Sequence, residues 1–447
     1  VQEQHVVSVV GAGLAGSECA LQLAKRDVRV RLYEQRPAHM TPAHHTAEPA
    51  ELVCSNSFKS TRPDSAAGLL KEELARMDCE LLKLAHKASV PAGGALAVDR
   101  VRFSALVKEA LAAHPSIEYV EAQVDDVPEG PCVIAAGPLC SDELFQALGA
   151  RLGTSSLAFY DAAAPIVDAQ TLDRSVIFEQ SRYGEANTGD YLNCPMNKEE
   201  YEAFITELLA AKRTIGKDFE QKDLFCACQP IEEVARAGRD APRFGALKPV
   251  GLVDPRTGRR PWACVQLRAE NEYQSAYNLV GFQTNLTWPE QKRVFSMIPG
   301  LENATYFRYG VMHRNSFVDA PHTLDPTFAI PGTQARLAGQ ICGTEGYVEA
   351  IASGLLAALN TVCDLNGWAP ALLPEQTAFG ALCAYATNPA TEDYQPMHVN
   401  FGLMPPLTPC VRNKKERYGA YAARAVAALD GYIASRPELF AAEKSHA

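Results

Sequence analysis

Three glycines and one acid near the start of the chain have the types and spacing to hold a dinucleotide. Gly11-Ala12-Gly13-Leu14-Ala15-Gly16 follows directly on the apolar run Val6-Val7-Ser8-Val9-Val10, and a second apolar stretch, Val28 to Tyr33, ends on Glu34. Read as strand, turn, helix and strand, the pattern gives each glycine a task. Gly11 permits the tight turn, Gly13 lets the backbone approach a pyrophosphate, and Gly16 lets the helix pack on the strand. The helix start, from Ala12 to Ala15, offers unpaired N–H groups and the positive end of its dipole to phosphate. Glu34, placed about 20 residues on, suits the paired hydrogen bonds of a ribose diol. Arg36 beside it either neutralises phosphate or holds Glu34 in place. A glycine-rich turn without function leaves the acid unexplained.

The remaining chemistry-bearing residues are bounded by composition. The chain has 447 residues, 47% hydrophobic and 21% charged, enough for two or three domains with substantial cores. Its 13 cysteines, an odd number scattered among predicted helices and strands, fit reduced thiols better than a disulfide framework. Cys226 and Cys228 are separated by one residue, poor spacing for zinc. A net charge of −11 excludes a generally basic nucleic-acid coat but not a local strip. Candidates for such a strip are Arg256, Arg259 and Arg260 in a Pro/Gly turn, and Arg412, Lys414, Lys415 and Arg417 near the C-terminal end, each of which would otherwise be a solvated face. No apolar run reaches the roughly 18 residues of a membrane span. The opening strand follows no basic segment and apolar run of the secretory kind, so the expected location is cytoplasmic.

Periodicity places these residues on elements. Residues 64 to 88 read as one helix carrying Leu69, Leu70, Leu74, Met77, Leu81, Leu82 and Leu84 on its apolar side. A helix near 103–113, strands near 118–122 and 132–136, and Gly137 at the end of the latter complete a first unit, with Gly137 expected beside the cofactor. From about 156 to 324, short strands alternate with loops and aromatics, which reads as an inserted α+β domain. Ala338 to Tyr347 then brings an apolar stretch, Gly343 and Gly346 to the start of a helix spanning Val348 to Asn360, and a final helix is expected near 413–434. The fold class is therefore α/β: a Rossmann-like three-layer FAD-binding domain built from residues 1–155 and 325–447, with residues 156–324 inserted. An FAD site made by both chain ends fits this order better than NAD bound by the first unit alone.

Several longer segments carry a resemblance. They are Gly11 to Glu18, Met40 to His44, Val53-Cys54-Ser55-Asn56-Ser57, Gly68 to Glu73, Val90 to Arg100, Asp190 to Met196, Lys248 to Arg256, Val280 to Thr284, Arg308 to Asn315 and Gly343 to Glu349. Together they resemble the folate- and flavin-dependent tRNA uracil-5-methyltransferases over roughly residues 5 to 430. The opening motif alone would equally suit NAD(P)H-dependent FAD oxidoreductases of small substrates or the larger tRNA carboxymethylaminomethyl-uridine flavoproteins. The resemblance implies that NAD(P)H reduces bound FAD, that methylenetetrahydrofolate supplies one carbon, and that the product is 5-methyluridine in the T-arm of tRNA. Uracil C5 is a poor nucleophile until a thiolate adds at C6, so the reaction needs an activated cysteine.

Carried over by the resemblance, Cys54 is the flavin-side thiol. Cys228, two residues before Pro230-Ile231-Glu232, is the uracil nucleophile, with Cys226 an extra thiol beside it. Gly11, Ala12, Gly13, Leu14, Ala15, Gly16, Glu34 and Arg36 would hold the ADP half of FAD. Gly343, Gly346 and Tyr347 would lie along its isoalloxazine or ribityl chain. His313, Arg314 and Asn315 would hold folate or the base edge, and Lys248, Arg256, Lys414 and Lys415 the tRNA phosphates. The chain departs from the family pattern at Ala246-Leu247, across Ala237 to Arg243, and at Thr344, which bears on loop geometry and removes no reactive group.

Overall fold

The computed structural model describes residues 6–41, 43–153, 157–162, 164–184, 189–214, 229–271, 273–310, 312–391 and 394–440, with backbone alone for 157–162 and 312–315. Five parallel strands form the first sheet, in the order Ala335–Leu337, Cys132–Ile134, Val6–Val10, Arg29–Glu34, Ile117–Glu121. Its central strands are apolar on both faces: Val7, Val9, Val133 and Ile134 are fully buried. Such continuous burial is what helices covering both faces of a parallel sheet require. The register aligns Val10 with Tyr33 and Ile134, and Ile134 with Leu337. The carboxyl ends of these strands thus share one edge, and each of three is followed by a glycine of positive φ, Gly11 (+99°), Gly137 (+72°) and Gly339 (+85°). Ligands of open α/β sheets bind at that edge.

Two helices close over it. Leu14–Ala24 is buried along its whole length. It crosses Tyr347–Asn366, which runs six residues beyond the predicted end and begins one residue earlier. The crossing is backbone on backbone. A Cβ at Gly354 would stand 2.1 Å from the Ala15 carbonyl oxygen, and one at Gly16 would stand 1.8 Å from the Gly11 oxygen. The helix Tyr347–Asn366 is long and apolar enough to cross a membrane by length and composition, which corrects the expectation that no segment is. Some 89% of that stretch is buried inside the protein, as a core helix would be.

The predicted helix over 64–88 is two helices, Ala66–Arg76 and Glu80–Lys87. Asp78 between them is left-handed (φ +61°). The fully buried Glu18 accepts hydrogen bonds from the N–H groups of Glu80 (3.0 Å) and Leu81 (2.7 Å), so a distant carboxylate caps the second helix. The leucine spacing runs on across the break because both helices face the same core.

A second sheet of six antiparallel strands has the order Phe178–Glu179, Tyr191–Met196, Ala263–Ala269, Ala276–Leu279, Ile166–Asp168, Tyr306–Arg308. It has its own core, where Phe282 meets Phe295 edge-on at 5.4 Å beside Tyr201 and Phe204. The chain leaves the first sheet along Leu157–Ala162 and returns along Met312–Phe317, and these two strands pair antiparallel. Asn56 ties the halves: it donates to the carbonyls of Val98 (3.0 Å) and Ala269 (2.9 Å) and accepts from Arg268 Nε (2.9 Å).

Gly354 gives a test with an inverted sign. Replacing a helix-interior glycine by alanine ordinarily stabilises by about 1 kcal/mol. Here the methyl group meets the Ala15 carbonyl, so Gly354→Ala is expected to cost about 1–3 kcal/mol and lower the melting temperature. A melting temperature equal to or above the parent's would refute the close helix contact.

Candidate active site

A cavity opens at the carboxyl edge of the parallel sheet, its wall including Gly13, Glu34, Cys54, Gly137, Gly346 and Tyr347. The space beside Gly13 is open to beyond 4 Å, so nothing stands where its side chain would be. The helix Leu14–Ala24 begins there with no side-chain cap and no acid in its first turn. Unpaired N–H groups facing open space fit the pyrophosphate of FAD. Ala12 and Gly16 serve this part from behind. Ala12 N–H donates to Glu34 Oε2 (3.1 Å), and Gly16 packs on Gly11.

Glu34 is 5% exposed and sits in a web of donors. Arg36 binds both carboxylate oxygens, Nε to Oε1 at 2.9 Å and Nη2 to Oε2 at 3.1 Å, and its main-chain N–H donates to Oε1 at 3.1 Å. Arg36 also reaches Glu51 (3.3 Å) and the Thr46 carbonyl (3.2 Å). Burial works to raise the Glu34 pKa, but the Arg36 charge and these hydrogen bonds prevail and leave it below the ordinary carboxylate value. Arg36 therefore orients and ionises Glu34. Of the two roles open to it from sequence, this is the one the geometry displays.

The loop bearing Cys54 is held from three directions. The Tyr347 hydroxyl accepts from the N–H of Cys54 (2.8 Å) and of Ser55 (3.1 Å). Arg308 donates to the carbonyls of Val53 (3.2 Å) and Cys54 (3.1 Å), and Arg100 to those of Leu52 and Cys54. Arg100 is in turn paired with the buried Glu270. Burial first, then the neighbouring Cys54, pushes the Tyr347 phenol upward, so it stays protonated. A thiolate at this loop would face the guanidinium groups of Arg100, Arg268 and Arg308, the setting in which cysteines react.

Elsewhere the cavity wall turns polar. Lys59, in a left-handed backbone conformation (φ +63°), places Nζ 2.8 Å from His398 Nδ1 and 3.9 Å from the buried Glu349. Burial and the Lys59 charge hold the His398 pKa below its ordinary value. The helix from Tyr347 begins at Gly346 (φ +115°) without a side-chain cap and points its N-terminus at this region. Gly343 differs from expectation. Its open side is filled by the Tyr394 hydroxyl, within 1.8 Å of where a Cβ would be, and it does not line the cavity.

Other residues singled out from sequence are dispersed. Cys226 and Cys228 lie outside the described residues. The flanks of that segment are tied to one stretch of chain: Thr214 N–H donates to the Asn285 carbonyl (2.7 Å) and Ile231 N–H to the Gln283 carbonyl (2.8 Å), and Gln283 lines the cavity. His313, Arg314 and Asn315 belong to the strand Met312–Phe317, with side chains outside the description. Lys248, Lys414 and Lys415 are exposed, while Arg256 is held by Asp254 through Nη2 at 2.9 Å. Sequence reasoning missed Glu232, fully buried, which accepts from Asn285 N–H (2.7 Å) and the Thr284 hydroxyl (3.0 Å). It also missed Arg100 and Arg308 as anchors of the Cys54 loop. All three stand inside or beside the motifs quoted above, which is where a search for them would begin.

Two tests follow from these contacts. Tyr347→Phe strands two N–H groups and is expected to cost about 1–3 kcal/mol and to change the alkylation rate of Cys54; unaltered melting and alkylation would show that the phenol does not hold the loop. Burial pushes the Glu232 carboxyl up to about 7, against the hydrogen bonds it accepts. The folded chain then binds its proton more tightly than the unfolded one, so this stability is complete below the ordinary carboxylate range and lost as pH rises through about 7. Glu232→Gln should flatten the fall in melting temperature over that window; a curve parallel to the parent's would remove Glu232 as its source.

The profile of the glucose inhibited division protein A (GIDA) family matches residues 6–369. The chain is 52% identical over 431 residues to the methylenetetrahydrofolate--tRNA-(uracil-5-)-methyltransferase TrmFO of Geobacter sulfurreducens, covering 96% of this chain and 99% of that protein. It is 49% identical over 428 residues to the TrmFO of Shouchella clausii, covering 96% and 98%. Its fold is similar to that of Aquifex aeolicus GidA in the form I crystal, with a TM-score of 0.70 at 15% identity, over 99% of this chain and 77% of that one. The matches span both sheets and the cavity between the chain ends, and by them the chain belongs to the GIDA family, alongside its TrmFO members.

Proposed function

We infer that the protein is a folate- and FAD-dependent tRNA (uracil-5-)-methyltransferase. The observation that carries this reading is identity of about one half, over nearly the whole chain, to enzymes bearing that name. The cavity supports it, because its two uncapped helix N-termini, open Gly13 and ionised Glu34 suit FAD laid across both chain ends. Flavin bound there and reduced would supply the hydride that turns a transferred one-carbon unit into a methyl group. We take the target to be the T-arm uridine and the source of reducing equivalents to be NAD(P)H. We place the enzyme in the cytoplasm.

The chain's own residues divide the work. Glu34, charged and oriented by Arg36, receives the ribose hydroxyls, and the start of the helix Leu14–Ala24 receives phosphate. Tyr347, Arg100 and Arg308 fix the loop that presents Cys54. Cys228 adds to uracil C6, which makes C5 nucleophilic toward the carbon of methylenetetrahydrofolate; loss of the C5 proton with expulsion of tetrahydrofolate leaves an exocyclic methylene, and hydride addition to that carbon with departure of the thiolate from C6 gives the methyl group and restores the ring. Residues 156–324 form the inserted domain that brings Cys228 to the cavity, between cofactor-binding segments at 1–155 and 325–447. His313, Arg314 and Asn315 contact folate or the base edge. Lys248, Arg256, Lys414 and Lys415 meet phosphates along a confined strip, and binding weakens steeply with salt.

Holoenzyme given NADPH, methylenetetrahydrofolate and unmodified tRNA is expected to form 5-methyluridine. A tRNA with cytidine at the T-loop target should be inert. Cys228→Ala should abolish product with flavin retained, and Cys226→Ala should stay active. The reverse pattern would move the nucleophile to Cys226, and activity in both variants would refute addition by either thiol.

A further inference from the structure

At the edge strand Tyr306–Arg308 of the second sheet three aromatic rings lie in a column. Trp288 stacks on Tyr309 with centroids 5.7 Å apart and planes 16° apart, and Tyr309 stacks on Tyr306 at 5.0 Å and 15°. The outer ring, Trp288, is 59% exposed, so core packing does not account for it. The column is rigidly seated. Gln291, fully buried, donates to the carbonyls of Leu286 (2.7 Å) and Gly310 (2.8 Å) and accepts from Gly310 N–H (2.8 Å), clamping the start of the helix Trp288–Phe295 to the chain after Tyr309.

Two cations are carried by the chain close to the open ring. Lys292 is one helical turn from Trp288 and therefore on the same face. Arg293 is committed to Glu207 and Glu290, whereas the exposed Lys292 makes no ion pair among the described residues. Lys212, also exposed and without an ion pair among them, has its carbonyl hydrogen-bonded to Thr287 N–H at 3.1 Å. Short stretches of chain tie the column to the cavity, although none of its rings lines it. Gln283, five residues before Trp288, lines it, and Arg308, next to Tyr309, holds the Cys54 loop.

We propose that Trp288, with Lys292 and Lys212, is the stacking platform for an unpaired nucleotide flanking the target uridine. The proposal rests on the tRNA-methyltransferase reading. Parallel rings with one open face add a further planar heterocycle, and ammonium groups at the edge of that face meet its phosphate. An enzyme that acts on a base must take it out of the stack, and it then holds the neighbours that are left.

The test uses full-length holoenzyme and an unmodified T-arm hairpin. The chain has three tryptophans, so Trp262→Phe with Trp368→Phe leaves Trp288 as the sole indole emitter. Saturable quenching of that emission by the hairpin is expected. Trp288→Ala should weaken hairpin binding by ~10-fold or more and Trp288→Phe by far less, with flavin content and the KM for methylenetetrahydrofolate unchanged. Lys292→Gln should lower the salt dependence of binding by about one phosphate contact. Three results overturn the platform: hairpin affinity unchanged in Trp288→Ala; an effect confined to the folate KM, which would make it a pterin site; or loss of self-association in its place. Failure of the parent enzyme to bind the hairpin would instead sink the tRNA reading beneath it.

Discussion

The contact between Gly354 and the Ala15 carbonyl is the constraint on which the rest depends. Two helices from opposite ends of the chain can bring both N-termini to one cavity only if their backbones nearly touch, and a single methyl group at the crossing would separate them. Gly16 has the same role against Gly11, where the first helix meets the turn that precedes it. Each helix start is left uncapped by its own side chains. In a protein core that is a defect, and at the edge of a parallel sheet it is a binding surface for anions.

Around this crossing the cavity lining is of three kinds. One group of lining residues, around Gly13, offers N–H groups and an ionised acid, a second offers Cys54 under Tyr347 and arginines, and a third offers Lys59, His398 and Glu349. Concentrating guanidinium groups around Cys54 has a cost. Arg308 is half-buried, its buried Nε has no hydrogen-bond partner among the described residues, and burial lowers its pKa. The carbonyls of Val53 and Cys54 offset some of that cost and, through the same hydrogen bonds, stiffen the loop. Positioning of the thiol and the positive charge around it thus come from the same side chains.

Local patterns carried those features of the fold that local physics decides. The glycine turn, the strand ending on Glu34 and the long final helices were legible because chain sterics, dipoles and periodicity act over a few residues. The break at Asp78 was not legible. Leucine spacing continues through it, and the cap comes from Glu18, some sixty residues away, whose role is set by the packing of one helix on another. Gly343 misled for a similar reason: its positive φ marks a turn, but its neighbour Tyr394 is brought by a loop that no pattern announces. The motif led to the expectation of Tyr347 beside a cofactor, yet that its hydroxyl holds the backbone of Cys54 needed both segments in space.

By itself the amino-acid order determined the class of ligand and the strand–turn–helix whose form suits it. Those follow from residue type and from spacing along one stretch of chain. Only the tertiary structure decided that the two chain ends share one cavity, that Arg36 spends its charge on Glu34, and that Glu232 fastens the chain just after the Cys228 segment to a wall of that cavity. Such pairings join residues far apart in sequence, and their energy comes from burial and hydrogen bonds that exist only once both cores have formed.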